Sequence, residues 1–143
     1  MAFTPYVGIF RYQEHGWLGS AAIVQGGVVR FDLGTGFIEP AVAASAVIYG
    51  VNVSATQTAS ATNGATKTSI VPFEDGQVWV VDTTGDVVAT EVGTIVSLTD
   101  AVSIDEDDTG NTPLFEIVGY LGALTDRKAL VRPKRSLMTA IGV

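Results

Sequence analysis

Side chains able to do chemistry near neutral pH are scarce in this sequence: His15 is the sole histidine, and there is no cysteine. One histidine cannot pair with another around a metal. As the base of a triad it would need an orienting partner and a positioned nucleophile, yet it sits beside Gly16 in an aromatic stretch. The lack of thiols removes thiolate catalysis, zinc–thiolate and iron–sulfur sites, and disulfides. Gly34-Thr35-Gly36 has neither the third glycine nor the following helix of a dinucleotide site, and no glycine loop runs into Lys-Ser/Thr as phosphate binding requires. The run Asp105-Glu106-Asp107-Asp108-Thr109-Gly110-Asn111 offers the oxygens that a hard cation such as calcium takes from a flexible loop. It lacks the alternating ligands and distal bidentate Glu of an EF-hand, and reads as a solvated acidic turn that deters edge-to-edge association. A glycosidase pair would need one acid in an apolar pocket, whereas the acids here fall mostly in turns. No catalytic residue, metal ligand or cofactor site is therefore assigned, and the chain is not read as an enzyme.

The elements around these residues are strands. Val28 to Asp32 is β-branched and aromatic, Gly34-Thr35-Gly36 permits a tight turn, and Phe37-Ile38-Glu39-Pro40 starts the return. Ala46 to Val53 forms a further strand interrupted by Gly50, where a strand can bend or another backbone can come close. Gln77 to Asp82, Gly93 to Leu98, Leu114 to Tyr120 and Ala129 to Arg132 repeat the rhythm, with turn residues between them and no room for crossover helices. The expected fold is all-β: a small antiparallel β-barrel or β-sandwich. Only Ser136 to Ile141 could support a short helix.

Residues Gly27-Val28-Val29, the Pro40 to Ser45 segment leading into Val47-Ile48-Tyr49-Gly50-Val51, Val92 to Val96, Phe115 to Tyr120 and Leu130-Val131-Arg132 follow one another over about two thirds of the chain. In that order they resemble the small capsid decoration, or cement, proteins of tailed bacteriophages. The resemblance implies a structural virion protein on the outer surface of the capsid, bound to the major capsid protein and bridging its subunits, with a trimer as the favoured self-association.

Three segments stand apart. Residues 1–19 are aromatic-rich, and Pro5 with Gly8 makes a helix unfavourable there. They are expected to form an extended N-terminal arm whose Tyr6, Phe10 and Trp17 anchor on a neighbouring subunit, so that deleting residues 2–12 would weaken capsid binding and leave the barrel folded. The competing reading is an ordinary first strand with its aromatics in the domain's own core. The single β domain then spans 20–135, followed by a C-terminal tail, 136–143. Within it, 54–69 is almost all Ser, Thr and Ala around Asn63-Gly64, a hairpin signal; it is expected to project as a hairpin of Thr56 to Thr62 against Ala65 to Val71, or to be a mobile loop.

Charge is distributed unevenly. The chain is −7 overall, but residues before Asp126 carry −11 and those from Asp126 onward +4. Arg127, Lys128, Arg132, Lys134 and Arg135 are thus candidates for an acidic capsid surface, against the plainer reading of solvated charges that blunt a terminal strand. So acidic a chain suits nucleic acid poorly. Apolar residues never gather into the ~18 consecutive positions of a membrane helix, and the N-terminus carries Arg11 and Glu14 where a signal peptide would be apolar, so use without membrane or export is expected. Asn52-Val53-Ser54 matches a glycosylation acceptor without the secretory signal it needs. The alternatives to a capsid protein are another phage structural part (tail or fibre), or a carbohydrate-binding or adhesin-like β module using Trp17, Trp79 or Tyr120 as a stacking face.

Overall fold

A computed structural model of the chain describes residues 2–45, 47–107 and 113–134. Arg135, the 136–143 tail with its short helix, and the Asp108 to Asn111 part of the acidic run lie outside the described residues. The described chain is nearly all β, with two short 3-10 turns and no longer helix. In order the strands are β1 (Thr4–Val7), β2 (Gln13–Gly16), β3 (Ala22–Ile23), β4 (Val28–Phe31), β5 (Ile38–Pro40), β6 (Gly50–Asn52), β7 (Gln57–Thr58) and β8 (Lys67–Pro72). Then come β9 (Val78–Thr83), β10 (Ile95–Asp100), β11 (Ser103–Asp105), β12 (Phe115–Tyr120) and β13 (Lys128–Pro133).

The second half closes on itself. Strands β9, β11, β10, β12 and β13 pair in that order, and β13 returns to β9, giving a closed five-stranded barrel. All its pairings are antiparallel except β11 on β9. Period-two alternation produces the closure: Trp79 and Val81, Phe115 and Ile117, Ala129 and Val131 point inward and are fully buried, while Asp82, Glu116, Lys128 and Arg132 take the intervening outer positions.

The first half forms a second antiparallel sheet, β2-β8-β6-β4-β5. A bridge between Trp17 and Ile38, with the Leu18 N–H donating to the Ile38 carbonyl at 2.8 Å, draws its two ends together. Both faces of this sheet are covered, which explains why β4 and β8 run consecutive apolar residues instead of alternating. Val28, Val51 and Val71 join Phe73, Trp79 and Phe115 in one core, whereas Val29 and Ile70 turn the other way and pack with Trp17, Ile23 and Ile38 in a second. Gly50 lies where the sequence suggests a close approach: a Cβ there would collide with the Val71 carbonyl and lie 2.8 Å from the Pro72 Cα.

Two expectations are corrected. Residues 1–19 are not a detached arm. β1 pairs with β9, β2 pairs with β8, and Phe3 is buried against Phe115, their ring centroids 5.1 Å apart. Deleting 2–12 would therefore remove a strand and core side chains, so it is no test of binding alone. The 54–69 segment neither projects nor pairs with itself. β7 pairs with β3, Ala59 is buried in the second core, and β8 lies between β2 and β6. At Asn63-Gly64 only Gly64 has positive φ, 76°, where the expected type I′ hairpin turn needs both residues there. Small side chains let this segment lie flat on the sheet, and its hydroxyls reach its own backbone: Thr66 Oγ1 accepts from Ser60 N–H at 2.9 Å.

Candidate partner-binding surfaces

The N-terminal segment places its side chains unequally. Trp17, expected to anchor on a partner, is 1% exposed and belongs to this chain's second core. Its indole N–H donates to Thr68 Oγ1 at 2.8 Å, and Thr68 in turn donates to the buried Asn52 Oδ1 at 2.8 Å. That arrangement removes Trp17 as an exposed anchor, because a buried polar chain of this kind would be left unpaired if it swung out. It also buries Asn52, the residue of the glycosylation pattern. Phe10 packs edge-on against Trp79 at 5.0 Å and is half-buried.

Tyr6 is 50% exposed, and Val7, Ile9 and Tyr12, which were not singled out from sequence, are more open still, Ile9 and Tyr12 at 67%. Four large apolar groups within seven residues make a strip of the type that marks interaction sites. Its backbone is held from beneath. Gln77, 1% exposed, donates from Nε2 to the Ile9 carbonyl at 3.2 Å and the Pro72 carbonyl at 3.1 Å, and its Oε1 accepts from Trp79 Nε1 at 3.1 Å. β1 is the end strand of its sheet, with Pro5 and a register shift between Pro5 and Val7 limiting indiscriminate strand addition along that edge. Beside it, Phe3, Pro5, Tyr12, Gln25, Gly26 and Val53 line a groove of about 350 Å³. The signal in the sequence was the density of aromatic and aliphatic residues; which of them point outward depends on the strand pairing.

The basic row is largely occupied within the chain. Arg132 forks onto Glu116 at 2.9 to 3.1 Å across the β12–β13 pair, Lys128 reaches Asp82 at 3.0 Å, and Arg127 reaches Asp86 at 2.9 Å. Lys134 makes no ion pair among the described residues and is held by its backbone N–H to the Leu114 carbonyl. Three of the segment's cations are thus matched by acids of the same chain, Asp82 on β9, Asp86 just after it and Glu116 on β12.

His15 lies in a surface cluster with Gln13, Phe31 and Tyr49. The Tyr49 hydroxyl donates to Gln13 Oε1 at 2.6 Å, so its oxygen accepts from His15 Nε2 at 3.0 Å. The imidazole stacks edge-on with Tyr49 and Phe31 at 5.0 and 5.6 Å. Burial pushes the His15 pKa below its ordinary value and the Tyr49 pKa above its own. Among the described residues the hydrogen-bond partners of its ring are Gln13 and Tyr49. Trp79 is fully buried, which with Trp17 leaves only Tyr120, 40% exposed, of the three expected stacking faces. No helix of the described residues is long and apolar enough to cross a membrane.

Comparison with protein-family models, curated proteins and solved structures finds no match for this chain.

Proposed function

We propose that this chain is a structural virion protein of a tailed bacteriophage, binding the outer surface of the capsid and stabilising it by bridging major capsid subunits. The observation that carries the reading is the strip Tyr6, Val7, Ile9 and Tyr12, which runs from the edge strand β1 into the segment leading to β2. It joins the ordered resemblance from Gly27 to Arg132. Burying such side chains on a partner supplies affinity without chemistry, and a lattice of many copies multiplies it. A trimer at the capsid three-fold follows from the same resemblance and would use the same strip. The basic row contributes less than its charge suggests, since Arg127, Lys128 and Arg132 already have partners. A sugar-binding module is disfavoured because both tryptophans are internal.

The deciding measurement is copy number in purified virions by quantitative mass spectrometry, relative to the major capsid protein. A ratio near one supports cement; a handful of copies indicates a tail, connector or fibre part; absence from particles overturns the virion reading. The strip itself is tested by Ile9→Ser with Tyr12→Ser. Both side chains face solvent, so the melting temperature should hold while co-sedimentation with capsids weakens about tenfold or more. Unchanged co-sedimentation would exclude the strip as the contact.

A further inference from the structure

The acidic turn after β11 is built differently from a solvated one. Asp105, Glu106 and Asp107 each bring a carboxylate oxygen within 4.8 Å of the other two. Two ligand oxygens at about 2.4 Å from a single calcium ion can be no more than about 4.8 Å apart, so each pair meets the spacing that sharing one ion requires. The middle residue is the informative one. Glu106 is 4% exposed, its carboxylate is part of this group, and its Oε2 has no hydrogen-bond partner. Its Oε1 lies so close over Gly85 that a Cβ at that position would strike it. The absence of a side chain at Gly85 is thus what admits the carboxylate to the interior.

A second segment brings another acid. Glu91 ends the 3-10 turn Ala89–Glu91, and its Oε2 is likewise buried without a partner. Burial first, then the charge of Asp107, with Glu106 adding to it, pushes the Glu91 carboxyl above the ordinary carboxylate value against an opposing backbone hydrogen bond from Val88. No lysine or arginine forms an ion pair with any of these four acids among the described residues. Two interior carboxylate oxygens without donors are costly, and burial on this scale is ordinarily compensated by a proton or a cation. One shared proton answers a single carboxylate. Here three converge, with Glu106 buried, Asp105 half-buried and Asp107 exposed.

We propose that Asp105, Glu106 and Asp107 form a binding site for one divalent hard cation, with calcium preferred. Calcium is favoured over magnesium because the donors are carboxylates on a turn with no fixed octahedral arrangement, and magnesium gives up its waters reluctantly. The site would hold the end of β11, the short strand whose parallel pairing with β9 completes the barrel. Calcium would therefore act as a clasp on barrel closure, since a ligand that binds only the folded state stabilises it.

The test is titration of the full chain, stripped with EDTA and dialysed, with calcium chloride by calorimetry, alongside thermal melts in calcium, in magnesium and in sodium chloride of matched ionic strength. A single-site heat is expected, with a melting temperature raised by about 5 °C or more in calcium and by less than half that in magnesium. Glu106→Gln should abolish the calcium response while melting no lower than the wild type in EDTA, because the amide removes an unpaired buried charge. Should that variant fold poorly, Asp107→Asn at an exposed position serves in its place and should weaken calcium at least tenfold. No heat with the wild type, an equal shift from sodium chloride, or an unchanged response in both variants would overturn the proposal.

Discussion

His15 contributes to stability through where it stands. Its pKa in the folded chain lies below the ordinary 6.5 because burial disfavours the imidazolium. The unfolded chain therefore binds the proton more readily, and stability rises with pH across the interval between the two values. The contribution is complete above 6.5 and is lost as pH falls toward and through the folded value. Chemical denaturation at a series of pH values from neutral to mildly acid should show this loss, and His15→Asn should remove that part of it. A folded-state pKa at or above 6.5 by NMR would contradict the burial argument. At this scale the sequence was legible in part: a lone histidine leaves no second histidine to share a metal, but its hydrogen bond to Tyr49, thirty-four positions on, could not be read locally.

Among elements, the strands with regular alternation were legible and the segments without it were not. Val78 to Asp82, Phe115 to Tyr120 and Ala129 to Arg132 announced themselves because φ/ψ preference and period-two burial act over neighbouring residues. Gly50 was legible as a point of close approach. Gly50→Ala should press β6 off β8 and lower stability by about 2 kcal/mol or more, measured by urea denaturation, because the neighbouring atoms are backbone and cannot rotate away. A variant as stable as the wild type would mean that the two strands separate freely. The Ser/Thr/Ala segment misled because Asn63-Gly64 marks a turn correctly while leaving open what each arm pairs with, and β3 and β2 compete for those arms.

Across the whole molecule the two cores share one wall. Strands β4 and β8 have one face in the core of the closed barrel and the other in the core around Trp17, so neither core can empty without uncovering the other. Each contains one of the chain's two tryptophans, Trp79 in the first and Trp17 in the second. Trp17→Phe and Trp79→Phe therefore leave single reporters of opposite cores, and the fluorescence transition of each variant should coincide with its own far-UV transition. Tryptophan and far-UV midpoints that separate within one variant would show the halves unfolding independently. The sequence by itself determined the all-β class, the strand rhythm of the second half, the Gly34 to Gly36 turn and the poverty of catalytic groups, since these rest on residue type and local backbone preference. Only the tertiary structure decided that the N-terminal segment belongs to both sheets, that Trp17 is core while Ile9 and Tyr12 face outward, that Arg127, Lys128 and Arg132 are matched by Asp86, Asp82 and Glu116, and that Glu106 of the acidic turn is buried. Each of those depends on which surface a side chain finds opposite it. That is a property of strand pairings between residues tens of positions apart, which local pattern does not encode.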